Sequence, residues 1–68
     1  MKIKIFGDVK QGCDYLTSGE VYDVLEGDEN DSHVYVLDND GDKILVITEK
    51  SEYYCSHLGP NAKAVFVD

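Results

Sequence analysis

Apolar and polar positions alternate along much of the chain, and the alternation marks out five short strands. KIKIF at 2–6 places Ile3 and Ile5 on one face and Lys2 and Lys4 on the other, the pattern of a half-buried strand. Residues 7–19 (GDVKQGCDYLTSG) hold three glycines and no sustained period, so they predict a long loop anchored to the core by Val9, Tyr15 and Leu16. EVYDVLE at 20–26 resumes the alternation, with Tyr22 and Val24 on one face and Val21 and Leu25 on the other. HVYVLD at 33–38 and KILVIT at 43–48 follow, separated by NDGD, a hairpin signal of the Asp-Gly kind. KAVFVD at 63–68 supplies the last strand.

Two features decide the expected arrangement. The third and fourth strands are apolar at nearly every position, which predicts burial on both faces somewhere along their length, as in a curled sheet or small barrel. EKSEYYCSHLGPNA at 49–62 breaks the strand pattern. Ser51 can cap a short helical or 3₁₀ turn through 52–58, and Gly59 and Pro60 end it. Five strands with a long first loop, a tight hairpin between strands three and four and a short turn before strand five predict a small all-β, SH3-like barrel. An OB-fold has its helix where this chain has only the four-residue turn. With 68 residues the chain holds one domain, 1–68.

Composition narrows the function classes. Fourteen acidic residues face six lysines and no arginine, for a net charge of −8. Phosphate backbones and anionic membranes are repelled by such a field, and the bidentate fork that reads guanine is missing, so neither nucleic acid nor membrane is an expected partner. No apolar run reaches the roughly 20 residues that cross a bilayer. MKIKIFGDVK does not have the form of a secretory signal, so a cytoplasmic location is expected, with Cys13 and Cys55 as free thiols.

The candidate chemistry is sparse. Asp38, Asp40 and Asp42 surround Gly41 as in a calcium loop. Setting that glycine at the sixth loop position places Val36 first and Ile47 twelfth, where oxygen ligands are required. A tight turn is expected to converge only one or two hard ligands, so no metal is expected here and no cofactor elsewhere. A metal- or thiol-dependent site from Cys13, Cys55, His33 and His57 is the weakest alternative, because their spacing matches no zinc pattern. Cys55 with His57 is a weaker reading still as a nucleophile pair, and with no arginine, no clear oxyanion element and no cleft-sized chain the protein is not expected to be an enzyme. The missing tryptophan also argues against a polyproline groove. Of five tyrosines, Tyr22 and Tyr35 are expected in the core, and the adjacent Tyr53 and Tyr54 put at least one ring on the surface.

YLTSGEVYDVL at 15–25, followed by VYVLDNDGD at 34–42, resembles small SH3-like proteins of bacteriophages and prophages. Leu16, Thr17, Gly19, Tyr22 and Val24 carry the first part of the likeness, and Asp38, Asp40 and Gly41 the second. The resemblance implies a fold and a phage or prophage origin, with cytoplasm of the host as the location. It assigns no site. The expected function is non-enzymatic binding of a protein, such as a basic host protein, by a monomer or small homo-oligomer. The expected contact surface joins Asp28, Glu29 and Asp31 to Tyr53, Tyr54 and His57. The main alternative is a nucleic-acid mimic, in which carboxylates imitate a phosphate backbone and occupy a host DNA- or RNA-binding enzyme.

Overall fold

Five antiparallel strands form in the computed structural model, which describes residues 1–67: β1 (Lys2–Gly7), β2 (Val21–Glu26), β3 (His33–Leu37), β4 (Lys43–Ile47) and β5 (Ala62–Val67). They make one sheet in the order β4-β3-β2-β1-β5. Asp68, the last position of the expected fifth strand, lies outside the described residues. Consecutive strands are neighbours from β1 to β4, and β5 returns to pair along the whole of β1, from Lys2 opposite Val67 to Gly7 opposite Ala62.

The sheet bends at β2. Val21, Tyr22 and Asp23 pair with β1, and Val24 and Glu26 pair with β3. Between the last two, Leu25 is an extra residue, since Val24 faces Val36 and Glu26 faces Tyr35. Such a bulge bends its strand and increases the local twist. Beyond β4, Thr48 makes a single parallel bridge to Ala64 of β5, and the Glu49 amide donates to the Ala64 carbonyl at 2.9 Å. The two flanks of the sheet therefore meet at this point.

The core lies inside the bend. Ile3 and Ile5, Tyr22, Val34 and Val36, Val46, and Ala62 and Ala64 enter it from the five strands. Leu16 from the first loop and Cys55 and Leu58 from the segment before β5 close it. The expected anchors of the long loop are in place, with Leu16 buried and Val9 and Tyr15 packed against the cluster.

Two expectations change. Both-sided burial is absent from β3, which alternates strictly between exposed and buried, and is confined in β4 to its end, where Ile47 packs against the core from the face opposite Ile44 and Val46 while Leu45 points outward. Tyr35 consequently leaves the core, because Val34 and Val36 occupy the inward positions on either side of it. Among the described residues there is no helix. In place of the expected helical turn over 52–58, the Cys55 carbonyl accepts from Leu58 at 3.0 Å and Gly59 at 2.8 Å, a single closed turn. Gly59 then ends it in the left-handed region, at φ 87°. The segment is held to the first loop by the Lys10 amide, which donates to the Leu58 carbonyl at 2.8 Å.

Candidate functional site

A groove of about 280 Å³ opens where the flanks of the sheet meet. One wall is the segment 51–55, and the other is β5 through Ala62, Lys63 and Ala64, with Pro60 at its start. Ser51 shapes the first wall: its Oγ accepts from the Tyr53 amide at 3.0 Å, a local side-chain turn that leaves both neighbouring rings free. Tyr53 is 74% and Tyr54 61% exposed, so both tyrosines, not only one, reach solvent. Glu49 and Glu52 add two carboxylates to the lining against the one ammonium of Lys63.

Thr48 ties this groove to the acidic loop. It is almost fully buried, and its amide donates to the Ser32 carbonyl at 2.9 Å while its Oγ1 donates to the Asp31 carbonyl at 2.7 Å. The same Oγ1 accepts from the Lys50 amide at 3.2 Å, and the Thr48 carbonyl accepts from Ser51 at 3.1 Å. The loop 27–32 and the wall carrying Tyr53 thus hang from one residue. Inside the loop, Asp31 Oδ2 accepts from the Asp28 amide at 2.8 Å and Asp28 Oδ1 accepts from the Asn30 amide at 3.2 Å. Among the described residues, Glu29 makes no such hydrogen bond. It lines a second hollow with Met1, Phe66 and Val67, next to Glu49, whose Oε2 accepts from the Phe66 amide at 3.1 Å.

His57 is not drawn into this surface by its hydrogen bond. Its Nδ1 shares a 2.7 Å hydrogen bond with the Tyr15 hydroxyl, and the two rings meet edge to face at 5.5 Å and 86°. Burial, and after it the neighbouring Cys13 thiol, hold the Tyr15 phenol above its ordinary pKa of 10.0. The result is a latch between the first loop and the turn before β5. Cys13 and Cys55 are free thiols, the former partly exposed and the latter buried. His33 stands apart at the start of β3, beside Ser32. Among the described residues, no three of Cys13, Cys55, His33 and His57 bring ligand atoms together.

The Asp38, Asp40 and Asp42 carboxylates do converge, with an oxygen of each within 4.8 Å of the others, more than the one or two ligands expected of a tight turn. The reason is Asp38. Its side chain turns inward and is nearly buried, and its Oδ1 accepts from the amides of both Asp40 and Asp42 at 2.9 Å. Wrapping the turn around one carboxylate gathers the other two. The Gly41 amide closes the turn on the Asp38 carbonyl at 3.1 Å, with Gly41 at φ 83°. Those bonds account for the conformation of the hairpin.

Sequence reasoning located the tyrosines and the acidic loop, and missed Thr48, Glu49, Glu52 and the β5 wall. Glu52 adjoins Tyr53 and was within reach of a composition argument. Nothing in KILVIT distinguishes the terminal threonine as the tether. The chain matches no protein-family model, no curated protein and no solved structure.

Proposed function

We propose that this chain is a non-enzymatic binding module that docks a positively charged partner protein in the groove between residues 51–55 and β5. The observation that carries this reading is the placement of two highly exposed tyrosines on the wall of a groove lined by Glu49 and Glu52 and tethered to the loop of Asp28, Glu29 and Asp31. Exposed tyrosines beside a concavity supply the rigid, amphipathic contact area typical of binding hot spots. The surrounding carboxylates favour a basic partner and speed its approach. The architecture that presents them reads as an SH3-like barrel. Its strand order, the Leu25 bulge and the Thr48–Ala64 bridge support this. A phage- or prophage-type accessory role in the host cytoplasm is consistent with the likeness noted in the sequence.

Asp28 and Asp31 hold the loop together, so charge reversal there disturbs structure as well as charge. Among the described residues, Glu29 and Glu52 make no such hydrogen bonds, and they are the better probes. Immobilised chain is exposed to bacterial lysate, and the proteins retained by wild type are compared with those retained by E29K/E52K and by Y53A/Y54A. Loss of one basic protein from both variants, each with the wild-type urea midpoint, is the expected result. Retention by both variants removes the groove from the reading. Displacement of the partner by duplex DNA, weakening as salt rises, favours nucleic-acid mimicry instead.

A further inference from the structure

Hydrogen bonding along the outer edge of β5 shows what form of chain the groove accepts. In an antiparallel pair, successive residues turn their amide and carbonyl alternately toward the partner strand and away from it. The Asp8 amide donates to the Asn61 carbonyl at 2.9 Å, and the register runs on from Gly7 opposite Ala62 to Lys2 opposite Val67. Lys63, Val65 and Val67 therefore turn toward β1, and Ala62, Ala64 and Phe66 turn their backbone groups outward. Glu49 meets two of these three. Its amide donates to the Ala64 carbonyl at 2.9 Å, and its Oε2 accepts from the Phe66 amide at 3.1 Å.

Ala62 is left over. The bridge from Thr48 to Ala64 is isolated, so β4 does not continue along the edge to reach it. Among the described residues, no group bonds to its outward amide or carbonyl. The Ala62 side chain belongs to the core, and the residue lines the groove between Pro60 and Lys63, across from the wall that carries Tyr53 and Tyr54. With 3% of its surface exposed, it places a donor and an acceptor side by side on the floor of the groove. Backbone groups this deep are seldom left without a partner.

We propose that the groove takes an extended segment of its partner, which pairs with Ala62 as an added β-strand and brings lysine or arginine side chains to Glu49 and Glu52. The proposal rests on the reading of this groove as the docking site of a basic protein, and names the form in which that protein enters. Main-chain geometry selects the form. A strand presents the amide and carbonyl of one residue side by side, matching the pair at Ala62. A helix uses its amides and carbonyls internally, and lysine and arginine side chains only donate, so neither meets both groups. Strand addition of this kind draws affinity from main-chain bonds and selectivity from the flanking side chains. Here the flanks are two carboxylates and the exposed rings of Tyr53 and Tyr54, along which the apolar stems of basic side chains lie. At about 280 Å³ the groove holds a few residues of such a segment, not the face of a folded domain.

The probe is a fluorescein-labelled peptide of about eight residues, alternating lysine with valine, and binding to the full chain is read by anisotropy at about 150 mM salt. Two further peptides carry N-methyl groups on every valine or on every lysine. Successive amides of a strand point to opposite sides, so only one of these peptides has its methyl groups on the edge that meets Ala62. The parent peptide is expected to bind with a dissociation constant below about 1 mM. One methylated peptide should bind at least about tenfold more weakly and the other within about threefold of the parent. Hydrogen exchange at the Ala62 amide should slow at least about tenfold when the parent saturates the chain. Equal affinity of the two methylated peptides, tight or weak, overturns strand addition. So does an Ala62 amide that exchanges as fast with the parent as without it, or a parent that fails to bind at 1 mM. The docking role of the groove is decided separately, by the lysate proteins that Y53A/Y54A and E29K/E52K retain.

Discussion

Replacing Thr48 with valine keeps the shape of a buried side chain and deletes one hydroxyl. That hydroxyl donates to the Asp31 carbonyl at 2.7 Å and accepts from the Lys50 amide at 3.2 Å. No cavity is created, so the cost is confined to two hydrogen bonds. Each contributes about 1 kcal/mol net, giving about 2 kcal/mol for the pair. A domain this small has roughly 3–5 kcal/mol of stability from its core, so the substitution removes close to half of it. The melting temperature should fall by roughly 8–16 °C, taking about 4–8 °C per kcal/mol at this size. Urea unfolding followed by far-ultraviolet circular dichroism measures the first quantity and a thermal scan the second. Amide exchange supplies the local readout, with faster exchange expected at Asp31 and at Lys50 and Ser51, while the β1–β5 amides change only with global stability. A loss below about 0.5 kcal/mol, the range of an ordinary surface change, would refute the view that Thr48 tethers the acidic loop to the groove. So would a full loss of stability with no added exchange at those amides.

Two further outcomes follow from local geometry. Alanine at Gly7 meets both a left-handed backbone, φ 95°, and the Asn61 carbonyl oxygen only 2.3 Å from the new Cβ. Alanine at Gly41 meets the left-handed backbone alone, with open space around it. Gly41→Ala should cost about 1–2 kcal/mol and leave a folded protein, whereas Gly7→Ala should cost at least about 3 kcal/mol and leave the chain largely unfolded. Equal urea midpoints for the two would show that the β1–β5 junction yields more readily than the packing implies. Tyr15 sets a dependence on alkaline pH. Its folded pKa lies above 10.0, so the unfolded chain loses this proton first. The stability associated with it is complete below about pH 10 and declines as pH rises through the folded value. Tyr15→Phe lowers stability at pH 8 by removing the bond to His57, yet its stability should fall less steeply above pH 10; an unchanged slope would contradict the assignment.

How far the sequence was legible depends on whether the signal was local. Ile3 and Ile5 alternate against Lys2 and Lys4, and their inward direction could be read directly, whereas Val21 and Leu25 make the second face of β2 apolar too and the packing decided that Tyr22 and Val24 face in. The β3–β4 hairpin was equally clear, because Gly41 marks the left-handed turn position. Tyr35 was misplaced for an identifiable reason. In HVYVL and KILVI both faces are apolar, so alternation no longer tells which residues face inward, and only the packed sheet shows that Leu37, Leu45 and Tyr35 face out. The candidate site was half legible. The tyrosines and carboxylates were visible as residues, whereas the tether through Thr48 joins positions 17 apart. His57, expected beside Tyr53 and Tyr54 at the contact surface, is bound to Tyr15, 42 residues away.

By themselves, the residues determined the number of strands, the long first loop, the hairpin and the acidic character of the surface. Each follows from side-chain period, turn chemistry or charge, properties that act over a few neighbours. The tertiary structure alone decided which apolar faces stay wet, where the bulge at Leu25 bends the sheet, and that β4 and β5 meet at Thr48 and Ala64. Those features depend on contacts between distant segments, whose geometry is set only when all five strands compete for one small core.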